Sequence, residues 1–327
     1  MAADGGTRAV VAALLANLGI AVTKFVAYLL ARNSSMLAEA IHSLADSGNQ
    51  VLLLLGGRRS RRAATPQHPF GYGRERYLYS FVVSIVLFSV GGLFALYEAY
   101  HKWHHIQEHP DDTGVDPTWW WLPLVVLAIA MVLESFSFRT AIAESNKIRG
   151  GVPWVAFVRR AKAPELPVVL LEDFAALLGL AFAFLGVGLN VLTENPLWDV
   201  LGTTMIGLLL VAVAIVLALE TKSLLLGESA TQEAQARIAT ALTEPTGVER
   251  VIHLKTLHLG PEELLVAAKF AVAPGVSAAD LAATIDEAEQ AIRAAEPTAR
   301  VIYLEPDIYR ADHQPTARPT PVSGPGH

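Results

Sequence analysis

Six stretches of this chain approach the roughly 20 consecutive apolar residues that a helix needs to cross a bilayer; they fall at residues 9–31, 36–56, 77–100, 119–144, 166–190 and 197–220. Lipid offers no partner to a backbone N–H or C=O, so such stretches must satisfy themselves as helices. An α-helical membrane protein with six transmembrane helices is the expected fold. The composition agrees: 53% of the 327 residues are hydrophobic and 17% are charged, against about 25% charged in a soluble domain. The first stretch has neither a strongly basic leader nor an A-x-A-like cleavage site, and it carries Lys24. It therefore reads as a span and not as a secretion signal.

Lys and Arg set the orientation. The link between the second and third spans holds Arg58, Arg59, Arg61, Arg62, Arg74 and Arg76, and the link between the fourth and fifth holds Lys147, Arg149, Arg159, Arg160 and Lys162. The opposite side has little beyond Arg32 and Lys102. Basic loops stay in the cytoplasm, so the N- and C-termini are both expected there. From about residue 228 the composition turns soluble. Residues 231–244 read as an amphipathic helix. Residues 248–259 and 264–272 are β-rich runs parted by Gly260-Pro261. Ser277 caps a second helix to Ala295, and residues 300–304 form a last strand. That order, α-β-β-α-β, predicts a small cytoplasmic α/β domain. The expected division is a transmembrane domain at 1–227, the α/β domain at 228–310 and a Pro-rich, disordered tail at 311–327.

Several classes drop out. A net charge of −6 argues against a nucleic-acid binder. With no cysteine, disulfides, thiolate metal sites and thiol catalysis are all excluded. Any metal must then be held by His, Asp, Glu or carbonyl oxygen.

An ionisable group inside the bilayer costs about 2.5–3.5 kcal/mol on insertion scales, so each one calls for a reason. In the second span Glu39, His42 and Asp46 are spaced i, i+3, i+7 and share one helical stripe. His42 and Asp46, one turn apart, can converge on a single cation, and imidazole with carboxylate suits Zn²⁺ better than Mg²⁺ or Ca²⁺. A proton relay or a buried polar network fits the same spacing. In the fifth span Glu172 and Asp173 are adjacent, so they point about 100° apart and are expected to face different partners. The fourth span adds Glu134 and Ser137, and the first adds Asn17 and Lys24. An ion pair between Lys24 and Glu39 is expected, which would withdraw Glu39 from any ligand set.

These residues carry a family resemblance. The run from Ser35 to Asp46 (SMLAEAIHSLAD) resembles the second-span signature of the cation diffusion facilitator family, a family of zinc and other divalent cation transporters. His68-Pro69-Phe70-Gly71-Tyr72-Gly73-Arg74 is similar to that family's H-P-F-G-H-G-K loop. Leu96, Glu98 and Ala99 look like the end of its third span, and Asp199 like the Asp opening its sixth. The variants H-P-F-G-Y-G-R-E-R-Y, L-E-D-F-A and Glu134-Ser135-Phe136 resemble the zinc transporter 9 branch. The resemblance implies a homodimeric, proton-coupled antiporter that moves a divalent cation out of the cytoplasm. Zn²⁺ is the first expectation, with Mn²⁺, Fe²⁺, Co²⁺ or Cd²⁺ behind it. Protons are the implied counter-ion. It also implies a tetrahedral site shared between spans two and five, which carries over to His42, Asp46 and Asp173. The fourth position falls on Val169, which cannot ligate. Glu172 is the nearest substitute, then water, then Glu39. A His or Asp at 169 is expected to rebuild the ligand.

The second loop His is Tyr72, and the domain positions where the family often places zinc-binding His look like Lys269 and Tyr303, with His253 remaining. The C-terminal domain is therefore expected to dimerise without a regulatory metal. No P-loop and no nucleophile–base constellation is present, so the expected class is a secondary active transporter and not an enzyme. Two other readings stand beside it: a manganese or iron carrier of the same fold, and a non-transporting membrane subunit that partners another transporter. The cytoplasmic N-terminus without a transit peptide fits a bacterial cell (inner) membrane.

Weaker signals have blander readings. His101, His104, His105 and His109 with Glu108, Asp111 and Asp112 read as an exposed polar loop before a metal-collecting one. Trp119, Trp120 and Trp121 read as an interfacial aromatic belt. Gly91, Gly92, Gly179, Gly186 and Gly188 are expected to let helices approach closely.

Overall fold

The computed structural model describes residues 2–31, 34–109 and 118–310, with side chains given at all of these except 2–5, 30, 31, 34–42 and 45. The expected tail at 311–327 and the outer-loop acids Asp111 and Asp112 lie outside the described residues. The chain separates into two compact units that part at Glu228 and Ser229, with the short segment His258–Glu262 grouped with the first.

The first unit is helical throughout. It runs α1 (Ala2–Ala31), α2 (Ser34–Arg59), α3 (Glu75–Val86), a π-helical stretch (Leu87–Leu93), α4 (Phe94–Glu108), α5 (Leu122–Arg149), α6 (Trp154–Arg160), α7 (Glu165–Thr193) and α8 (Leu197–Leu226). Among the described residues, five continuous helical stretches are long and apolar enough to cross a membrane: Gly6–Leu29, Glu75–Glu108, Leu122–Arg149, Glu165–Thr193 and Leu197–Leu226. The sixth, α2, has 26 residues, about 39 Å at 1.5 Å per residue, and carries the polar stripe.

Polarity in this unit is inverted relative to a soluble bundle. Leu15, Val22, Phe136, Leu185, Leu192 and Leu219 are exposed, whereas Asn17, Lys24, Gln50, Glu134, Glu172 and Asp173 are buried. An apolar exterior around a polar interior is what a hydrocarbon solvent selects. The helices share an apolar cluster that includes Val10, Leu53, Val83, Val168, Val169 and Leu217. Arg76, near the start of α3, grips both oxygens of Glu165 at the start of α7.

Helix ends follow local chemistry. Gly150 takes the left-handed conformation that stops α5, with φ of 58°. Pro164 and Pro196 precede α7 and α8, where a missing N–H costs nothing. Several boundaries differ from the expectation. The first helix begins at Ala2, the third span continues past residue 100 to Glu108, the fourth to Arg149 and the sixth to Leu226, because helix formers extend the backbone pattern beyond the apolar part. The short α6 within the basic link was not expected; it starts after Pro153 and buries Phe157.

Close approach between helices falls on a partly different set of glycines from the expected one, with Gly56, Gly202 and Gly207 joining Gly92 and Gly186. A Cβ at Gly186 of α7 would lie 2.8 Å from the Trp198 carbonyl oxygen, and one at Gly202 of α8 would lie 2.9 Å from that of Phe182. Gly92 meets Val211 as tightly, at 2.7 Å. Gly179 and Gly188 make only ordinary contacts at 3.7 and 3.9 Å, so for them the expected packing role is corrected.

The second unit has the order α9 (Gln232–Leu242), β1 (Arg250–Gly260), β2 (Glu263–Ala271), α10 (Ala278–Ala295) and β3 (Ala299–Asp307). Thr231 and Ser277 cap the helices by accepting from the N–H groups of Ala234 and Asp280. The strands lie in the order β1-β2-β3, with β2 and β3 parallel and α10 as their crossover. Ile238 and Leu242 of α9 and Ala288 and Ile292 of α10 bury against Val266, Phe270 and Ile302 of the sheet. Lys269 on β2 is held by Glu305 at 2.8 Å and Asp307 at 3.1 Å on β3. Those carboxylates raise the ammonium above its ordinary value, and the Lys269 hydrogen bond holds Asp307 below the usual carboxylate range.

Candidate metal centre

The polar stripe of α2 continues one turn beyond Asp46, through Asn49 and Gln50. These two amides reach across to α7 and take both oxygens of Glu172: Asn49 Nδ2 donates to Oε1 at 2.9 Å and Gln50 Nε2 to Oε2 at 3.0 Å. Asn17 of α1 supports Gln50 from behind, at 3.4 Å. Asp173, 100° round the helix, turns instead to α5. There Ser137 Oγ donates to its Oδ2 at 2.6 Å, and Glu134 stands one turn before Ser137. The adjacent carboxylates therefore do face different partners.

The remaining oxygen of Asp173, Oδ1, is buried and accepts no hydrogen bond among the described residues. A buried acceptor without a donor is costly unless a cation or proton completes it. Asp46, Glu134 and Glu172 line a common cavity of about 330 Å³ between the helices. Lys24 enters the same cavity from α1 and donates to Ser43 Oγ at 3.1 Å. At the cavity's far end Lys102 of α4 binds Asp199 Oδ2 at 2.8 Å and Thr203 at 3.3 Å on α8.

His42 and Glu39 lie on α2 by backbone, and their side chains fall outside the described residues. His42 is one turn before Asp46, so the backbone keeps the two on one face. Among the described residues no three His, Asp or Glu side chains converge at ligand distance. Val169, one turn before Asp173, is fully buried in the apolar cluster. Glu172, the nearest substitute by sequence, has both oxygens engaged by amides. Asn49 and Gln50 were not singled out from the sequence. Their signal was there: they sit at i+3 and i+4 from Asp46, at the end of its stripe, just before an unbroken apolar run.

In the loop before α3, His68 and Tyr72 pack ring on ring at 4.7 Å, and Thr65 Oγ1 lies 3.3 Å from the Tyr72 hydroxyl. The position where the loop signature has a second His thus serves as a packing partner for the first.

A bundle of membrane-crossing helices around a carboxylate-lined cavity, followed by a small α/β unit, defines a multi-pass integral membrane protein. The family follows from comparison with known proteins. The model of the cation efflux transmembrane domain matches residues 10–226, more than half of the chain, and the chain belongs to that family, the cation diffusion facilitators. It is 35% identical over 232 residues to the mitochondrial proton-coupled zinc antiporter SLC30A9 of Xenopus laevis, which covers 70% of this chain and 40% of that protein. It is 29% identical over 257 residues to metal tolerance protein C4 of Arabidopsis thaliana, covering 78% of this chain and 54% of the relative. Magnetosome protein MamM of Paramagnetospirillum magneticum is 23% identical over 259 residues, covering 76% of this chain and 72% of its own. The chain spans about two fifths to a half of the length of the first two relatives.

Proposed function

We propose that this protein is a secondary active transporter that exports a divalent cation, Zn²⁺ before Mn²⁺, Fe²⁺, Co²⁺ or Cd²⁺, in exchange for protons. The observation that carries the reading is the buried, donorless Oδ1 of Asp173, beside a cavity lined by Asp46, Glu134 and Glu172 inside the helical unit. His42, Asp46 and Asp173 are the ligands, and Glu172, tied to α2 by two amides, orients the site from behind. Glu39 pairs with Lys24 at the edge. The likeness to vertebrate proteins named as proton-coupled zinc antiporters supports zinc and proton coupling.

The mechanism follows from shared ligands. Metal binding requires neutral imidazole and ionised carboxylates, so cation and protons compete for one set of atoms. Imidazole titrates near neutrality, at about 6.5 when unperturbed, so His42 is the natural proton carrier. Presenting that site to one face and then the other exchanges the two. We place both termini in the cytoplasm on the strength of the basic links, and the protein in a bacterial cell (inner) membrane. The α/β domain at 228–310 joins two copies into a homodimer without a regulatory metal, because Lys269 fills one of its former ligand positions with a paired cation.

The test is zinc-driven proton movement in proteoliposomes of purified protein. His42→Ala and Asp46→Ala are each expected to abolish it while the dimer persists in light scattering. Normal flux in either variant overturns the mechanism, and absence of metal-dependent flux in the parent protein would favour a non-transporting partner subunit.

A further inference from the structure

Four buried polar side chains on three helices, Asn17, Asn49, Gln50 and Glu172, form one chain of hydrogen bonds. Asn17 Nδ2 of α1 donates to Gln50 Oε1 at 3.4 Å, which turns the other end of that amide toward α7. There Gln50 Nε2 and Asn49 Nδ2 each donate to one oxygen of Glu172. Two parallel bonds to one carboxylate fix an orientation as well as a distance. Asn49 and Gln50 follow Asp46 by three and four residues, about one turn of α2, and Glu172 is the immediate neighbour of Asp173. The clamp therefore joins the helices that carry Asp46 and Asp173, close to both residues. Burying three amides and a carboxylate carries a desolvation cost, and apolar side chains could pack the same space without it.

We infer that Asn49 and Gln50 are positioning residues that, through Glu172, hold Asp46 and Asp173 at a spacing suited to a small divalent ion and so set the metal preference of the site. This rests on the transporter reading above. The cation contacts His42, Asp46 and Asp173 and none of the clamp. A zinc–oxygen bond is about 2.0–2.2 Å long, and a larger ion such as Cd²⁺ needs longer ones. Ligands held at a fixed spacing favour the smaller ion, whereas ligands free to move apart accept both. The fork also limits rotation of α7 about its axis, which keeps Asp173 directed to Ser137 on α5.

Titration calorimetry of the full-length protein in detergent with Zn²⁺ and with Cd²⁺, beside melting curves, tests this. Gln50→Leu removes one arm of the fork, and Glu172→Gln removes an acceptor that the fork grips. Each is expected to weaken zinc binding by about tenfold and cadmium binding by less, so that the ratio of the two Kd values moves toward Cd²⁺. The double variant is expected to resemble the more affected single one, because both changes break one link. Equal losses for the two ions, with a lowered melting temperature, would mark a purely structural tie and overturn the inference. A loss in Glu172→Gln far beyond that in Gln50→Leu, adding to it in the double variant, would put Glu172 on the metal itself and also overturn it. Should Gln50→Leu fail to fold, Asn17→Leu decides: it leaves the fork's donors in place but frees the Gln50 amide, and an unchanged Kd ratio overturns the inference. Failure of the transporter reading looks different, because the parent protein itself would then neither bind nor move zinc.

Discussion

Val169 sits one turn before Asp173 with its side chain wholly enclosed by apolar neighbours. A carboxylate introduced there meets hydrocarbon instead of a vacant ligand position. Val169→Asp is therefore expected to lower the melting temperature of the detergent-solubilised protein, at a cost of about 3 kcal/mol, without tightening zinc binding. Calorimetry and a melting curve on one sample read both. The contrast with Asp173 is instructive. That residue has one oxygen fixed by Ser137 and the other without a donor among the described residues, while each oxygen of its neighbour Glu172 accepts from one amide. Adjacent acids on one helix thus have different partners.

At the scale of elements, the α7–α8 contact is set by backbone approach. Gly186→Val places methyl groups where the Trp198 carbonyl already stands at 2.8 Å from the Cβ position, and overpacking of that kind costs about 1–3 kcal/mol. Gly188→Ala, which meets only Leu124 at 3.9 Å, is the neutral control, and paired melting curves separate them. Most elements were legible in the sequence because lipid solvent and the α-β-β-α-β patterning each leave strong periodic signals. Ser277 was readable as a cap because its oxygen precedes a helical run at the right place. The π-helical stretch at Leu87–Leu93 was not, since its residues are as apolar and helix-compatible as those around it. For the site, charged residues stood out against an apolar background, so Asp46, Glu172 and Asp173 were found. Asn49 and Gln50 are neutral and escaped, although they decide which way Glu172 faces. Which of several glycines makes the close contact depends on helix phase, and spacing alone does not carry that.

For the molecule as a whole, two units are stabilised by different solvents. The helical unit turns its large apolar side chains outward and needs a hydrocarbon surround; the α/β unit has an interior apolar core and a polar exterior. Acid should therefore act on the second unit through carboxylates that are paired in the fold. Burial pushes the Glu296 carboxyl up, but hydrogen bonds from Thr298 and Arg237 outweigh it and hold the group below its ordinary value. A depressed folded-state pKa gives stability that is complete above the unfolded value, about 4.3, and is lost as pH falls through the folded one. Glu296→Gln is expected to cost about 1 kcal/mol at pH 7, modest because Arg237 is half exposed, and the gap should close below about pH 4. Hydrogen exchange at α10 and β3 in the full-length chain measures it; a gap independent of pH would indicate that packing, not charge, is responsible.

The wide turn at Leu87–Leu93 has a consequence for angular phase. Each residue of an α-helix advances the side-chain direction by about 100°, and a π turn absorbs a residue that regular winding would not. The second half of the third span therefore keeps the phase it would have if that residue were absent. Tyr77, Ser80 and Val83 on the first half face the interior of the bundle, and Glu98 and Lys102 on the second half still arrive at the cavity wall. Regular α winding through the same residues would turn that second pair by about 100° and swing it off the cavity, leaving Asp199 to face the space without its lysine.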